Sequence, residues 1–273
     1  MEKRKTTNKE HKMKKICMVA TVMVLASALA ASAAGKKKSA KEPEAEAFKT
    51  ALNVAATMTD GNSETLGVNA SLVTEGEKEG LGSILAGIEG NYGEATTKST
   101  DAEGNAIEND ETTVENAKAY FNAKKTLSPL TFLGLNASGE YDDIASVDYR
   151  FTVGPAAGFY AFKSEKQSLS AEAGPSYVWE KLGGETDDYL AFRFAERYEA
   201  QLTKTATLVQ TLEYLPKADE FDRYLLNAEV ALDVAVNDRL SLRLVVQDSY
   251  NSEPAEGMDE NDLSVLAGFG FKL

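Results

Sequence analysis

Hydrolysis, electron transfer and metal binding each need particular side chains at workable spacing. This chain of 273 residues is rich in carboxylates, arginines, lysines and hydroxyls, but it has one histidine, His11, and one cysteine, Cys17. Both lie in its first 33 residues. If that segment is a removable leader, the remainder has no imidazole for a triad and no thiolate for redox work or soft-metal ligation. A serine nucleophile would then need a lysine or carboxylate base, and no spacing marks such a pair. No catalytic residue is assigned, and no cofactor-binding or metal-binding residue either.

The remaining polar clusters read as surface. Gly61, Asn62 and Ser63 suit a tight turn that wants a left-handed residue better than a recognition loop. In "DAEGNAIENDE", residues 101–111, acids alternate with asparagines, but the twelve-position spacing of a helix-flanked calcium loop is missing. A solvated outer loop is expected there. Asp142, Asp143 and Asp148 are expected at a strand rim, and Glu180, Glu196 and Glu199 on the surface near strand ends. The glycines of "GLGSILAGIEGNYG" are followed by no lysine and helix, so they make no phosphate loop. They suit a curved, sheared sheet wall.

Strands must position these groups. Apolar residues recur every two positions over long stretches, and no segment beyond the leader has a convincing helical period. In "RYLLNAEVALDVAV", Tyr224, Leu226, Ala228, Val230, Leu232, Val234 and Val236 share a face. "NDRL" then turns the chain into "LSLRLVV", as an Asn-Asp pair suits a tight hairpin. The same habit predicts strands near 48–59, 64–75, 81–95, 112–126, 130–142, 147–162, 168–180, 188–202, 205–215, 222–236, 240–250 and 261–272. On these registers the polar face carries Glu89, Lys118, Glu140, Arg150, Glu172, Arg193, Arg197, Glu213, Glu229, Asp233 and Arg243. A soluble sandwich would show the same alternation, with that face as solvated surface.

Four further features favour a membrane barrel over the sandwich. Most strands exceed the usual globular length and could cross a bilayer at a tilt. Short connections such as "GEKEG", "LSP", "TKT" and "ND" alternate with connections that are mostly longer and acidic, such as "LPKADEFD" and "NSEPAEGMDEN", as in outer-membrane barrels. Tyr177 and Trp179 fall near one rim, Phe269 and Phe271 near the other. The start of the chain reads as an export signal: a basic region to Lys15, an apolar run from Ile16 to Leu29, then small residues. Fourteen helical residues span about 21 Å, short of a hydrocarbon core of roughly 30 Å.

Removing residues 1–33 takes away 7 of the 29 Lys and Arg and 2 of the 43 Asp and Glu, leaving 22 against 41 and a net charge of −19. Such a surface repels phosphate backbones, so no nucleic-acid partner is expected. Residues 34–47 read as a flexible charged arm.

Several motifs now matter together. "LNVAATMTDGNSETLGVNASL", with Thr59, Gly61, Asn62 and Ser63, resembles the opening of the salt-induced outer membrane protein family (YdiY-like, domain of unknown function 481). Further on, Tyr141, Asp142 or Asp143, Arg150, Gly154, Gly158 and the displaced Tyr160 resemble that family's middle portion. Glu172, Gly174, Tyr177 and Glu180 resemble a later segment, and Tyr250, Pro254 and Asp262 its last third. The resemblance spans about residues 48–273. It implies a location and a fold, an envelope or salt-stress role, and no reaction.

The expected architecture is all-β: a signal peptide at 1–33, cleaved on export, the arm at 34–47, and at 48–273 a single antiparallel up-and-down transmembrane β-barrel of about 12 strands, closed by its first and last strands. The expected function is non-enzymatic, in the outer membrane of a Gram-negative-type bacterium, with a small or closed lumen and a weak, cation-favouring conductance at most. Outer-membrane lipid and the barrel assembly machinery are the expected partners of a monomer, with no cofactor. The alternatives are a soluble periplasmic β-sandwich or an envelope lipid-modifying enzyme.

Overall fold

A computed structural model describes residues 48–273 apart from 60–62, 79–80 and 101–105. The expected leader, the arm, and Gly61 and Asn62 lie outside the described residues. Twelve strands follow in order: β1 (Lys49–Thr59), β2 (Ser63–Lys78), β3 (Gly82–Thr100), β4 (Ala106–Ser128), β5 (Thr131–Asp142), β6 (Val147–Lys163), β7 (Gln167–Leu182), β8 (Glu185–Gln201), β9 (Ala206–Pro216), β10 (Tyr224–Ala235), β11 (Leu240–Asn251) and β12 (Asn261–Lys272). Each pairs antiparallel with its chain neighbours, and β1 pairs with β12, so the sheet is one closed barrel. A single closed sheet replaces the two stacked sheets that a sandwich would need, and no helix among the described residues is long and apolar enough to cross a membrane.

The alternation in the sequence becomes an inside and an outside. Between β10 and β11, Val230 faces Val246, Leu232 faces Leu244, and Asp233 faces Arg243. Successive pairs point to opposite faces of a pleated sheet, so the aliphatic pairs lie outside and the charged pair inside. Large apolar side chains such as Phe151, Trp179, Phe194, Val230, Leu244 and Phe269 are exposed on the outer face. In water that surface would be an aggregation liability; in a bilayer it is the wall that meets the acyl chains.

Both termini of the barrel lie at one end, here the terminus end. Four of its turns are closed by short side chains that accept backbone N–H groups. Ser128 accepts from Thr131 (3.1 Å), Ser164 from Gln167 (3.2 Å) and Thr203 from Ala206 (3.0 Å). Asn237 accepts from Arg239 (2.9 Å) and Leu240 (3.0 Å). These side chains stand in for missing turn hydrogen bonds, and Asn237 sits in the turn that "NDRL" predicts.

At the other, loop end the ladder runs further than expected. In the solvated loop expected over residues 101–111, the described residues from Ala106 onward are strand, because β3 and β4 stay paired as far as Thr100 opposite Ala106. An established ladder continues through polar residues at little cost when water covers both faces, so polarity there marks exposure rather than a loop.

Two places weaken the wall. Between β6 and β7, Val153 pairs with Tyr177 and Ala157 with Ala173, but the three positions between are unpaired. The register sets Pro155 opposite Pro175, and neither has an N–H to donate. A Cβ at Gly154 would run into the Pro175 carbonyl, and one at Gly174 into that of Pro155, so both glycines are required by the close approach. Between β1 and β12 the pairing is short, from Ala51–Lys272 to Ala55–Gly268.

Candidate functional site: the charged interior

The inward face of the wall is the region with chemical content. From β5 to β11 it is built of arginines held between carboxylates on neighbouring strands. Arg150 Nη1 lies 2.5 Å from Glu140 Oε1 and its Nε 2.6 Å from Glu180 Oε2. Arg193 Nη1 lies 2.6 Å from Glu172 Oε1 and its Nε 2.5 Å from Glu213 Oε2. Arg243 Nη1 lies 2.6 Å from Asp233 Oδ2, and Gln247 donates to Glu229 at 3.0 Å. Guanidinium groups suit such bridging because their planar donors serve two carboxylates at once.

Other contacts cross the lumen instead of following its wall. Lys124 of β4 reaches Glu172 of β7, Nζ to Oε2 3.1 Å, an ion pair without hydrogen-bond alignment. Asn122 of β4 donates to Glu172 Oε1 at 3.4 Å. Lys118 of β4 lies within electrostatic reach of Glu140, Glu213, Glu89 and Glu229, although β10, which carries Glu229, is the strand diametrically opposite. Nearer the terminus end, Lys124 stands over the Phe132 ring at 4.4 Å, and Phe132 packs on Tyr160 with ring centroids 5.3 Å apart. There Lys163 of β6 also bonds Glu77 of β2 at 2.5 Å, across the width of three strands.

The loop end is filled differently. Val178, Ala191 and Leu215 point inward from β7, β8 and β9 and are almost fully buried, with Tyr189 and Leu225 packed on them. Ala255, in the connection between β11 and β12, is buried against Gly183 in the turn after β7. Arg223 ties the connection after β9 to the last one through Glu220 (3.0 Å) and Glu253.

From β1 to β5 the inward groups are mainly neutral. Asn53 donates to Ser71 (3.0 Å). Asn69 donates to Asn91 (2.6 Å), Asn91 to Asn116 (2.7 Å), and Asn116 to Asp142 (3.2 Å). This amide ladder had no mark in the sequence beyond its parity with Glu89.

All eleven charges expected on the polar face do point inward. Glu180 does not lie on the surface as expected: it is 7% exposed and bonded to Arg150. Its parity with Glu172 was the signal for this, and nearness to a strand end concealed it. Glu199 lies at the terminus end beside Arg197 (3.4 Å), and Glu196 faces outward, accepting from Gln210 at 3.5 Å. Asp142, Asp143 and Asp148 are rim residues: Asp142 caps the Ala145 N–H at 2.9 Å, and Asp148 pairs with Lys181 at 2.9 Å. Burial lifts the Asp142 carboxyl above its ordinary range, against the opposing bonds from Ala145 and Asn116, and Asp262 adds to the lift. No group of three or more His, Cys, Asp or Glu among the described residues is arranged to hold a metal ion.

Several solved structures are similar in shape. The NanC porin is 9% identical, with 82% of this chain and 100% of that chain covered and a TM-score of 0.49. The KdgM porin in complex with disordered oligogalacturonate is 8% identical, covering 83% and 99%, with a TM-score of 0.44. The translocator domain of the autotransporter NalP from Neisseria meningitidis is 12% identical, covering 94% and 98%, also with a TM-score of 0.44. No curated protein matches the sequence. The family model described as "Protein of unknown function, DUF481" matches residues 52–273, and the chain belongs to that family.

Proposed function

We propose that this chain is a non-enzymatic, monomeric barrel of the bacterial outer membrane whose lumen is sealed by its own side chains. The carrying observation is the inversion of polarity in a closed sheet: aliphatic and aromatic residues outside, bridged ion pairs inside. On β12 the outward residues Leu263, Val265, Ala267, Phe269 and Phe271 cover nine positions. At 3.3 Å per residue and a tilt near 40° they span about 23 Å, close to the apolar band of an outer-membrane barrel. The terminus end then lies in the periplasm and the loop end outside. Lipid, and the machinery that inserts such barrels, are the partners this implies.

Sealing follows from how the interior is filled. The inward carboxylates and cations nearly balance, Lys124 reaches Glu172 three strands away, and Lys118 lies within electrostatic reach of Glu229 on the opposite wall. Charges paired in this way satisfy each other without a plug domain. What ions do pass are cations, because the acidic loops raise their concentration at the mouth. The family resemblance adds an envelope role under salt stress. Heat-modifiable migration and recovery in the outer-membrane fraction are expected; a protein released from cells with the soluble periplasm would refute the membrane reading.

A further inference from the structure

The β1–β12 seam is zipped over only half its height. Five pairs join the two strands, whereas β11 and β12 share eleven. Above Ala55 and Gly268, no described strand pairs with the free edge of β12, nor with that of β1. Gly268 marks the last tight contact, since a Cβ there would strike Val54 and Ala55 of β1. Continuing the register would set Ala56 opposite Ala267 and Thr57 opposite Leu266, and neither pair forms.

This gap lies inside the apolar belt. Leu263 and Val265 point outward beside it on β12, and Met58 does so on β1. At 67%, 63% and 80% exposure they are among the most exposed apolar side chains of the chain. Unpaired backbone groups facing hydrocarbon cost several kcal/mol each, so the edges must meet something polar. On the lumen side the gap is flanked by small or uncharged residues, Thr57, Gly67, Ser264 and Leu266, with no arginine or lysine among them. Below it the ion pairs block the way to the periplasm.

We propose that the upper half of this seam is a lateral slit at the level of the outer leaflet, which admits a lipid-type amphiphile. Its polar head is hydrogen-bonded by the free backbone edges of residues 56–58 and 263–267. Its acyl chain lies outside against Met58, Leu263 and Val265. The geometry fits a lipid better than a soluble solute, because the free polar edges open directly beside the outward apolar side chains that meet the acyl layer. The inference rests on the membrane reading above.

The test uses the full chain with Cys17→Ser, refolded into phosphatidylcholine vesicles that contain a phosphatidylcholine with a diazirine in its acyl chain. On irradiation, label is expected on Leu232, which reports only that the barrel is in the bilayer, and also on the inward residues Thr57 and Leu266. In a second variant, Ala56→Cys with Ala267→Cys, oxidation is expected at least about tenfold more slowly than in Val54→Cys with Phe269→Cys, which sits in the zipped half. Locking the slow pair with a short bismaleimide should remove at least about four-fifths of the inward label and leave that on Leu232. Equal oxidation rates, or no inward label while Leu232 is labelled, would overturn the slit. Disulfides between two copies would replace it with strand exchange between protomers, which also overturns it. Absence of label at Leu232 would instead overturn the membrane reading.

Discussion

The wall formed by β6–β9 and the wall formed by β1–β3 enclose the same lumen and are furnished differently. The first carries Arg150, Glu172, Glu180, Arg193 and Glu213 in bridged pairs, with Val178, Ala191 and Leu215 packed above them. The second carries Asn53, Ser71, Asn69 and Asn91, and borders a half-zipped seam. Ion pairs removed from water need every partner in place, because a charge left alone there is costly. Amides tolerate exchange of a partner for water. The barrel therefore has a rigid side that seals and a softer side that can open.

The largest contrast should come from removing one group on each side. Arg150→Met leaves Glu180 without its cation and Glu140 with only the more distant Lys118, and should cost about 3–5 kcal/mol in urea unfolding from lipid. Asn69→Ala on the soft side should cost about 1 kcal/mol, since Asn91 keeps its bond to Asn116. Similar losses at the two sites would erase the distinction.

Charge on the outer face should also read the two sides differently. Leu232→Arg, on a fully paired strand near mid-membrane, should cost about 2–4 kcal/mol. Val265→Arg, beside the gap, should cost no more than about 1 kcal/mol, the range of a site with access to water. Asp233→Asn should cost far less than Leu232→Arg, since its carboxylate faces the lumen; the reverse order would place the register one residue off.

Hydrogen exchange compares the sides without mutation. Amides of Leu263–Ala267 that point toward β1 should exchange at least about 100-fold faster than those of Val178–Glu180, which sit in the packed wall. Uniform protection around the barrel would mean that the seam is closed in solution.

The smallest expected effect is in pH. Burial raises the Asp142 carboxyl above its ordinary value of 3.8, so the folded state holds that proton more tightly than the unfolded chain does. Its contribution favours folding at pH below that value and is lost as pH rises through the window above it. Asp142→Asn should flatten this slope, seen as a smaller change of urea midpoint between acid and neutral pH.

Much of this was legible from alternation alone. A period of two extending over a dozen residues leaves one choice of face, so the strands and the inward set from Glu89 to Arg243 followed. Closure followed from the need to bury two edges. Glu180 was misplaced because proximity to a strand end was weighed above parity, and its partner Arg150 lies thirty residues away. The inward apolar plug at Val178, Ala191 and Leu215 was hidden because an apolar residue on the polar face looks like an error in the pattern. The extent of β1–β12 pairing is a property of the closed wall, fixed by shear and tilt, which no local pattern reports.

Planar-bilayer recording of the refolded full chain tests the sealed lumen most directly. The unmodified protein should show no large, stable steps, and any weak current should favour cations. The double variant Glu172→Ala with Arg193→Ala removes a bridged pair together, leaving space between Lys124 and Glu213, which had held its two ends, and should pass a measurable current. Large stable channels, or a preference for anions, in the unmodified protein would contradict a lumen closed by its own charges.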